Sequence, residues 1–284
     1  MRGTEFVVAV EVDAGTGGEG VIHVASAIAE AEVREELAGH VITERSVAWN
    51  ARERRINGVV RERIGSVVLA ERPFVPGDSE ALPMLCQAVE AERSALLPFG
   101  EETRQLQGRI LMLARLFPSD GWPDLTNERL YGSPETWLAP LLAGVRNARD
   151  LERLDLTSAL RDMIPPRLRQ RLDLLAPTHL PVPSGRRVAL DYAPLEGPVL
   201  AIKLQELFGL WSSPAVAGGK APVLLHLLSP AGRPVQVTRD LRGFWDGAYR
   251  QVRAELRGRY PRHPWPDDPW NAPPTSRTKL RNGR

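Results

Sequence analysis

Apolar and polar positions alternate at the start of the chain. Phe6, Val8, Val10 and Val12 interleave with Val7, Ala9, Glu11 and Asp13. This period of two predicts a strand whose faces differ toward its end. The glycines from Gly15 to Gly20 predict a turn, and Val21, Ile22, His23 and Val24 a second strand. Residues 27–38 (AIAEAEVREELA) switch to a helical pattern, which Gly39 stops. Two further strands, near 41–51 and 55–71, flank a charged turn, with Asn57-Gly58 close by. Several strands and one helix in this span predict a small barrel of the OB type.

The period then lengthens. Segment 80–97 reads as a helix ended by Pro98, and 101–117 as one ended by Pro118. Asp124 can cap a short helix, and Ser133-Pro134-Glu135 is a helix start with proline at its first position. Leu168, Leu172 and Leu175 share one face after Pro165-Pro166. Short, proline-punctuated helices predict a compact bundle.

Beyond residue 177 the pattern is mixed. THLPVPSGRRVALDYA predicts a hairpin around Ser184-Gly185, VLAIK a strand leading into a short helix LQELFGL, and VLLHLLSPAGRPVQVT a hairpin turning at Pro230-Ala231-Gly232. Leu241, Trp245, Ala248, Val252 and Leu256 mark one face of a helix that starts near Asp240. A proline-dense tail follows Tyr260, and the last ten residues read as disordered unless something docks them. The expected fold class is α+β. It comprises an OB-like β-barrel over 1–77, a helical bundle over 78–176, and a mixed α+β domain over 177–284 that carries the tail.

Composition narrows the classes. The 284 residues are 43% hydrophobic, with no apolar run long enough to span a bilayer, so membrane insertion is not expected. The start MRGTEF lacks a leader pattern. One cysteine, Cys86, leaves no internal disulfide and no multi-cysteine metal site. A cytoplasmic location is expected. Net charge is only +2, yet residues 233–284 hold 12 Lys+Arg against 5 Asp+Glu. Of 37 basic residues only Lys203, Lys220 and Lys279 are lysines. The arginine bias fits either nucleic-acid contact or a GC-rich genome.

Candidate chemistry is sparse. Gly15, Gly17 and Gly20 satisfy GxGxxG, but a strand-like segment follows where a dinucleotide fold needs a helix. Gly218-Gly219-Lys220 resembles the end of a phosphate loop, but Pro214 and Ala221 stand where glycine and a hydroxyl residue belong. The five histidines are scattered, which argues against a zinc site. No catalytic set can be assembled, and no metal or cofactor is expected in this chain.

Two basic segments stand out. Arg52, Arg54, Arg55, Arg61 and Arg63 lie on the last strands of the expected barrel, with Trp49 as a stacking platform. The alternative is a charged strand edge that resists aggregation. Arg250, Arg253, Arg257 and Arg259 precede Tyr260 and Trp265, a mixture suited to phosphate contact and stacking. There the alternative is a tail pinned to the core by Trp265.

Several uncommon words occur together: THLPVPSG, KLQELFGL, LLHLLSPAGRPVQVT and LRGRYPRHPWPDDP between 178 and 269. WPDL, TWLAPLLAGV and LDLTSAL precede them, and ERSVAWNARERRINGVVRERIGSVVLAERP lies earlier still. Together they resemble the C-terminal end of the HrpB-type bacterial helicases of the DEAH/RHA group. The resemblance implies a cytoplasmic, ATP-dependent 3′–5′ RNA helicase whose motor, with its ATP and Mg²⁺, lies outside this chain. Its nucleotide-binding residues therefore have no counterpart here. Either the chain is an expressed fragment or its gene has lost the motor; Met1-Arg2-Gly3 directly before a core strand favours the fragment. Two functions follow as expectations. In one, the chain is an accessory half that guides single-stranded RNA or DNA, with the motor domains as its partners in cis. In the other, residues 80–284 dock a protein partner or brace the motor.

Overall fold

A computed structural model describes residues 6–13, 20–194 and 196–276. The chain opens with β1 (Phe6–Asp13), β2 (Val21–Ile28), α1 (Glu30–Glu36), β3 (Ile42–Asn50), β4 (Arg55–Ile64) and β5 (Val67–Phe74). Helices follow: α2 (Asp78–Glu92), α3 (Glu101–Leu116), α4 (Asn127–Gly132), α5 (Ala148–Leu151), α6 (Leu156–Asp162) and α7 (Pro166–Leu175). The remainder is β6 (His179–Pro181), β7 (Arg187–Ala189), β8 (Val199–Lys203), β9 (Ala215–Val216), β10 (Ala221–Pro222), β11 (Leu224–Leu228), β12 (Pro234–Thr238), α8 (Leu241–Asp246) and α9 (Tyr249–Arg259). The chain is mixed α/β, and it divides into two compact units: residues 1–92 with 139–153, and residues 93–138 with 154–284.

Among the described residues of the first unit the strands do not close into a barrel. β1 and β2 form a two-stranded hairpin, and β3–β4–β5 a separate antiparallel sheet. A barrel requires hydrogen bonds that run on from strand to strand around a closed ring; among the described residues β1 and β2 pair only with each other. The expected strand over 55–71 is two strands, because Gly65 takes a positive φ of 56° and, with Ser66, reverses the chain. α2 packs on β3 and β4 and buries Ala81, Leu85, Cys86 and Val89. The expected helix over 27–38 begins only at Glu30, because β2 extends to Ile28. The glycine turn at 15–20 lies outside the described residues except for Gly20.

In the second unit α3 is the central helix and packs against α6 and α7. It buries Leu106, Ile110 and Leu113 at helical spacing. Arg109 is buried on the same helix, donating to the Ala176 carbonyl at 2.6 Å and to Asp173 at 2.5 Å. β11 lies between β8, to which it is parallel, and β12, which is antiparallel. The segment LQELFGL forms only one 3₁₀ turn, Leu204–Leu207. Within it the carboxylate of Glu206, 1% exposed, accepts from Ser184 at 2.9 Å and Arg186 at 2.9 Å, which ties the turn between β6 and β7 to the 3₁₀ turn. The helix expected from Leu241 to Leu256 breaks at Gly247 into α8 and α9, and Phe244, Trp245 and Tyr249 cluster around that break. Residues 277–284, most of the tail expected to be disordered, lie outside the described residues.

Candidate nucleic-acid interface

Strand parity decides where the basic residues of the first unit stand. Directly opposed residues of an antiparallel pair share a face. Trp49 opposes Ile56 and Val47 opposes Gly58, so Trp49 sits on the face of the even-numbered residues of β4. α2 lies against that face: the Trp49 Nε1–H donates to Glu92 at 2.6 Å, and Arg45 donates to Glu80 at 3.0 Å while lying over the Phe74 ring. Arg55, Asn57, Val59, Arg61 and Arg63 occupy the opposite face. The sheet therefore separates Trp49 from Arg55, Arg61 and Arg63.

Carboxylates accompany the arginines of that second face. Arg61 binds Glu71 through two nitrogens, at 3.0 and 2.8 Å. Arg63 pairs with Glu44 and donates to the Gly65 carbonyl at 2.6 Å. Arg55 donates to Glu53 at 2.7 Å, and the Asn57 amide to the same oxygen at 3.2 Å. The guanidinium of Arg63 holds the Glu44 carboxyl below its usual range; Arg55, then Asn57, do the same to Glu53. These groups are solvated, so the pairs contribute little stability. Each of these arginines of β4 thus has a carboxylate partner, and in the turn Arg52 and Arg54 flank Glu53. Arg54 adopts a positive φ of 51° there.

A distant segment completes the turn end of the sheet. Ile56 N–H donates to the Arg146 carbonyl at 2.8 Å, and Ala148 N–H to the Arg54 carbonyl at 3.0 Å, so residues 146–148 run beside the start of β4. Asn147 caps α5 in a reciprocal pair with Asp150. The Arg146 guanidinium is fixed by the Pro76 carbonyl at 3.0 Å and by Asp78 at 2.6 Å. Arg146 first, and the Gly144 N–H second, hold the Asp78 carboxyl below its usual range. Gly58 lets the chain cross close by: a Cβ there would lie 2.8 Å from the Phe74 carbonyl oxygen and from Pro76. What remains is an open cleft of about 550 Å³ with Arg55, Asn57, Arg146 and Asn147 on its polar side and Val59, Pro73 and Val75 on its apolar side. Arg146 and Asn147 escaped the sequence reading; the only local signal was the helix cap at Asn147.

The second basic segment has a different character. The Arg253 Nε–H donates to the Trp265 carbonyl at 2.9 Å, and its Nη1 meets Asp267 at 2.6 Å. Trp265 Nε1–H donates to the Tyr260 carbonyl, and the Tyr249 hydroxyl, whose pKa burial pushes up, to that of Pro266. Arg253 and Trp265 thus fasten the tail to α9. Arg250, Arg257 and Arg259 are exposed, the last 4.0 Å from Glu255. Gly218-Gly219-Lys220 forms the turn between β9 and β10, with no helix after it, so it offers no phosphate loop for ATP. Among the described residues no group of three or more His, Cys, Asp or Glu side chains could hold a metal, and no helix is long and apolar enough to cross a membrane.

Comparison with known proteins places this architecture. Residues 137–269 match the family described as ATP-dependent helicase C-terminal, so the chain carries a helicase C-terminal region of the HrpB type. The relatives are specific. The chain is 40% identical over 235 residues to the ATP-dependent RNA helicase HrpB of Escherichia coli, covering 82% of this chain and 29% of that protein. It is also similar to two solved structures of E. coli HrpB, each at 36% identity. One, described as a DExH-box NTPase, has a TM-score of 0.68 and covers 96% of this chain and 34% of that one. The other, described as a DEAH/RHA helicase, has a TM-score of 0.59 over 80% of this chain and 29% of that one. The chain spans about a third of the length of these relatives.

Proposed function

We propose that the chain is the accessory C-terminal region of an ATP-dependent RNA helicase and guides single-stranded nucleic acid across the turn end of its OB-like sheet. The cleft beside Arg52, Arg54 and Arg55 carries this reading. It offers cations for phosphates next to an apolar wall, the two elements that single-strand sites combine. On this reading ATP and Mg²⁺ belong to motor domains outside the chain, and the chain itself supplies no step of hydrolysis. The test is fluorescence anisotropy of a labelled oligouridylate against salt. Replacing Arg52, Arg54 and Arg55 together by alanine is expected to lower the slope of log K against log salt by about 2, at roughly 0.7 per lost phosphate contact. An unchanged slope overturns the assignment.

A second reading, docking onto the motor or another protein, draws on the β1–β2 hairpin. Val7, Val10 and Val12 on β1 and Val21 and Ile22 on β2 are all about half exposed or more, on both faces of the hairpin. Such a surface calls for cover. A purified motor region that binds the wild-type chain and a Val10→Asp/Ile22→Asp variant equally well contradicts this reading.

A further inference from the structure

We infer that the second compact unit holds a separate single-strand site, in the groove between α3 and the segment around Tyr192. Its deep end receives a phosphate and its trough the neighbouring base. Arg104, Gly108, Leu111 and Arg115 recur at helical spacing on one side of α3, a stripe that rises about 16 Å. The opposite wall is fixed close by. A Cβ on Gly108 would lie 2.0 Å from the Tyr192 carbonyl oxygen, and Tyr192 N–H donates to Gln105 at 2.7 Å. The trough has a volume of about 440 Å³ and an apolar floor that includes Leu111, Met112, Pro194 and Pro198.

At the Arg115 end the trough shares Met112, Arg115, Gly197 and Pro198 with a cavity of about 90 Å³. That is room for about three waters, the scale of a phosphate group. Three cations border it: Arg115, Lys220 and Arg239. Ala217, Gly218 and Gly219 all take positive φ, forming the tight turn that presents Lys220, whose Nζ lies 4.4 Å from the Phe117 ring centroid. Arg239 is held by the Glu196 carbonyl at 2.9 Å. At the far end of the trough Arg104 pairs with Glu101 at 2.8 Å, so the basic groups gather at the deep end; the lining carboxylates are Glu128 and Glu196. A compact cationic end followed by an apolar trough matches the phosphate–base alternation of a strand; an acidic peptide needs cations spread along its length.

This site shares no residue with the cleft near Arg52, so the two are tested apart in the full chain with the same labelled oligouridylate. Lys220→Ala with Arg239→Ala is expected to lower the salt slope by about 1.4 while the Arg52/Arg54/Arg55 cleft stays intact. Both side chains are exposed; if the alanine pair melts below wild type, the glutamine pair carries the test. An unchanged slope in a folded variant overturns the site and leaves the first cleft standing. So does an oligoglutamate peptide of equal charge that competes as well as the strand. Competition by uridine monophosphate at the same nucleotide concentration overturns the strand and leaves a free-nucleotide pocket.

Discussion

Gly108 tests the packing of the second unit most sharply, because two general effects pull in opposite directions there. In a helix interior, glycine to alanine ordinarily stabilises by about 1 kcal/mol. At Gly108 the added methyl would sit 2.0 Å from the carbonyl oxygen and 2.7 Å from the carbonyl carbon of Tyr192. The obstacle is backbone, so no side-chain rotation relieves it. Separating α3 from the Tyr192 segment also strains two hydrogen bonds, Tyr192 N–H to Gln105 at 2.7 Å and Gln105 to Asp191 at 2.6 Å. Overpacking costs about 3 kcal/mol at its upper range, and loosening one of those bonds about 1 more. Less the propensity gain, Gly108→Ala is expected to lose about 3 kcal/mol, a fall of roughly 6–12 °C in Tm for a unit of this size. Urea unfolding followed by tryptophan fluorescence measures it. Gly258→Ala is the control: it lies in α9 with no heavy atom within 4 Å of a new Cβ, and it should hold or gain stability by up to about 1 kcal/mol. A Gly108→Ala protein as stable as wild type refutes the close approach.

Arg146→Ala should destabilise the first unit at pH 7 and less so in acid. The folded Asp78 carboxyl titrates below its unfolded value of about 3.9. Its contribution is therefore complete above that value and disappears as pH falls through the lower folded one. Urea midpoints at pH 7 and pH 3 should show the wild-type advantage shrinking; a constant gap contradicts the assignment. Arg253→Ala should cost about 1 kcal/mol through its lost bond to Trp265, whereas exposed Arg250→Ala should stay within about 0.5 kcal/mol of wild type. Thermal melts of the two variants separate a tail clamp from a surface charge, and equal melts count against the clamp.

Local patterns carried much of this architecture. The alternation in Phe6–Asp13 and the leucine spacing of α7 are properties of a few neighbouring residues, so they survive without tertiary context. The breaks at Gly65-Ser66 and Gly247 were harder to read, because a glycine permits a turn without requiring one. Which face of the sheet holds Trp49 depends on register, and register is set by the four residues Ala51–Arg54 between β3 and β4; one residue more or less would exchange the faces. The cleft depends on Arg146 and Asn147 reaching β4 from far along the chain, and nothing in either segment alone announces that meeting. Arg253 read as a contact residue because its helical face is polar. Its tie to Trp265 became visible only once the tail was placed.

Ultraviolet cross-linking of oligouridylate to the full chain, with the attached peptides mapped by mass spectrometry, locates the bound strand. Adducts are expected on residues 52–59, 73–76 and 146–147, competed away by raised salt. Adducts confined to α9 and the tail, or none in the first unit, would contradict that location.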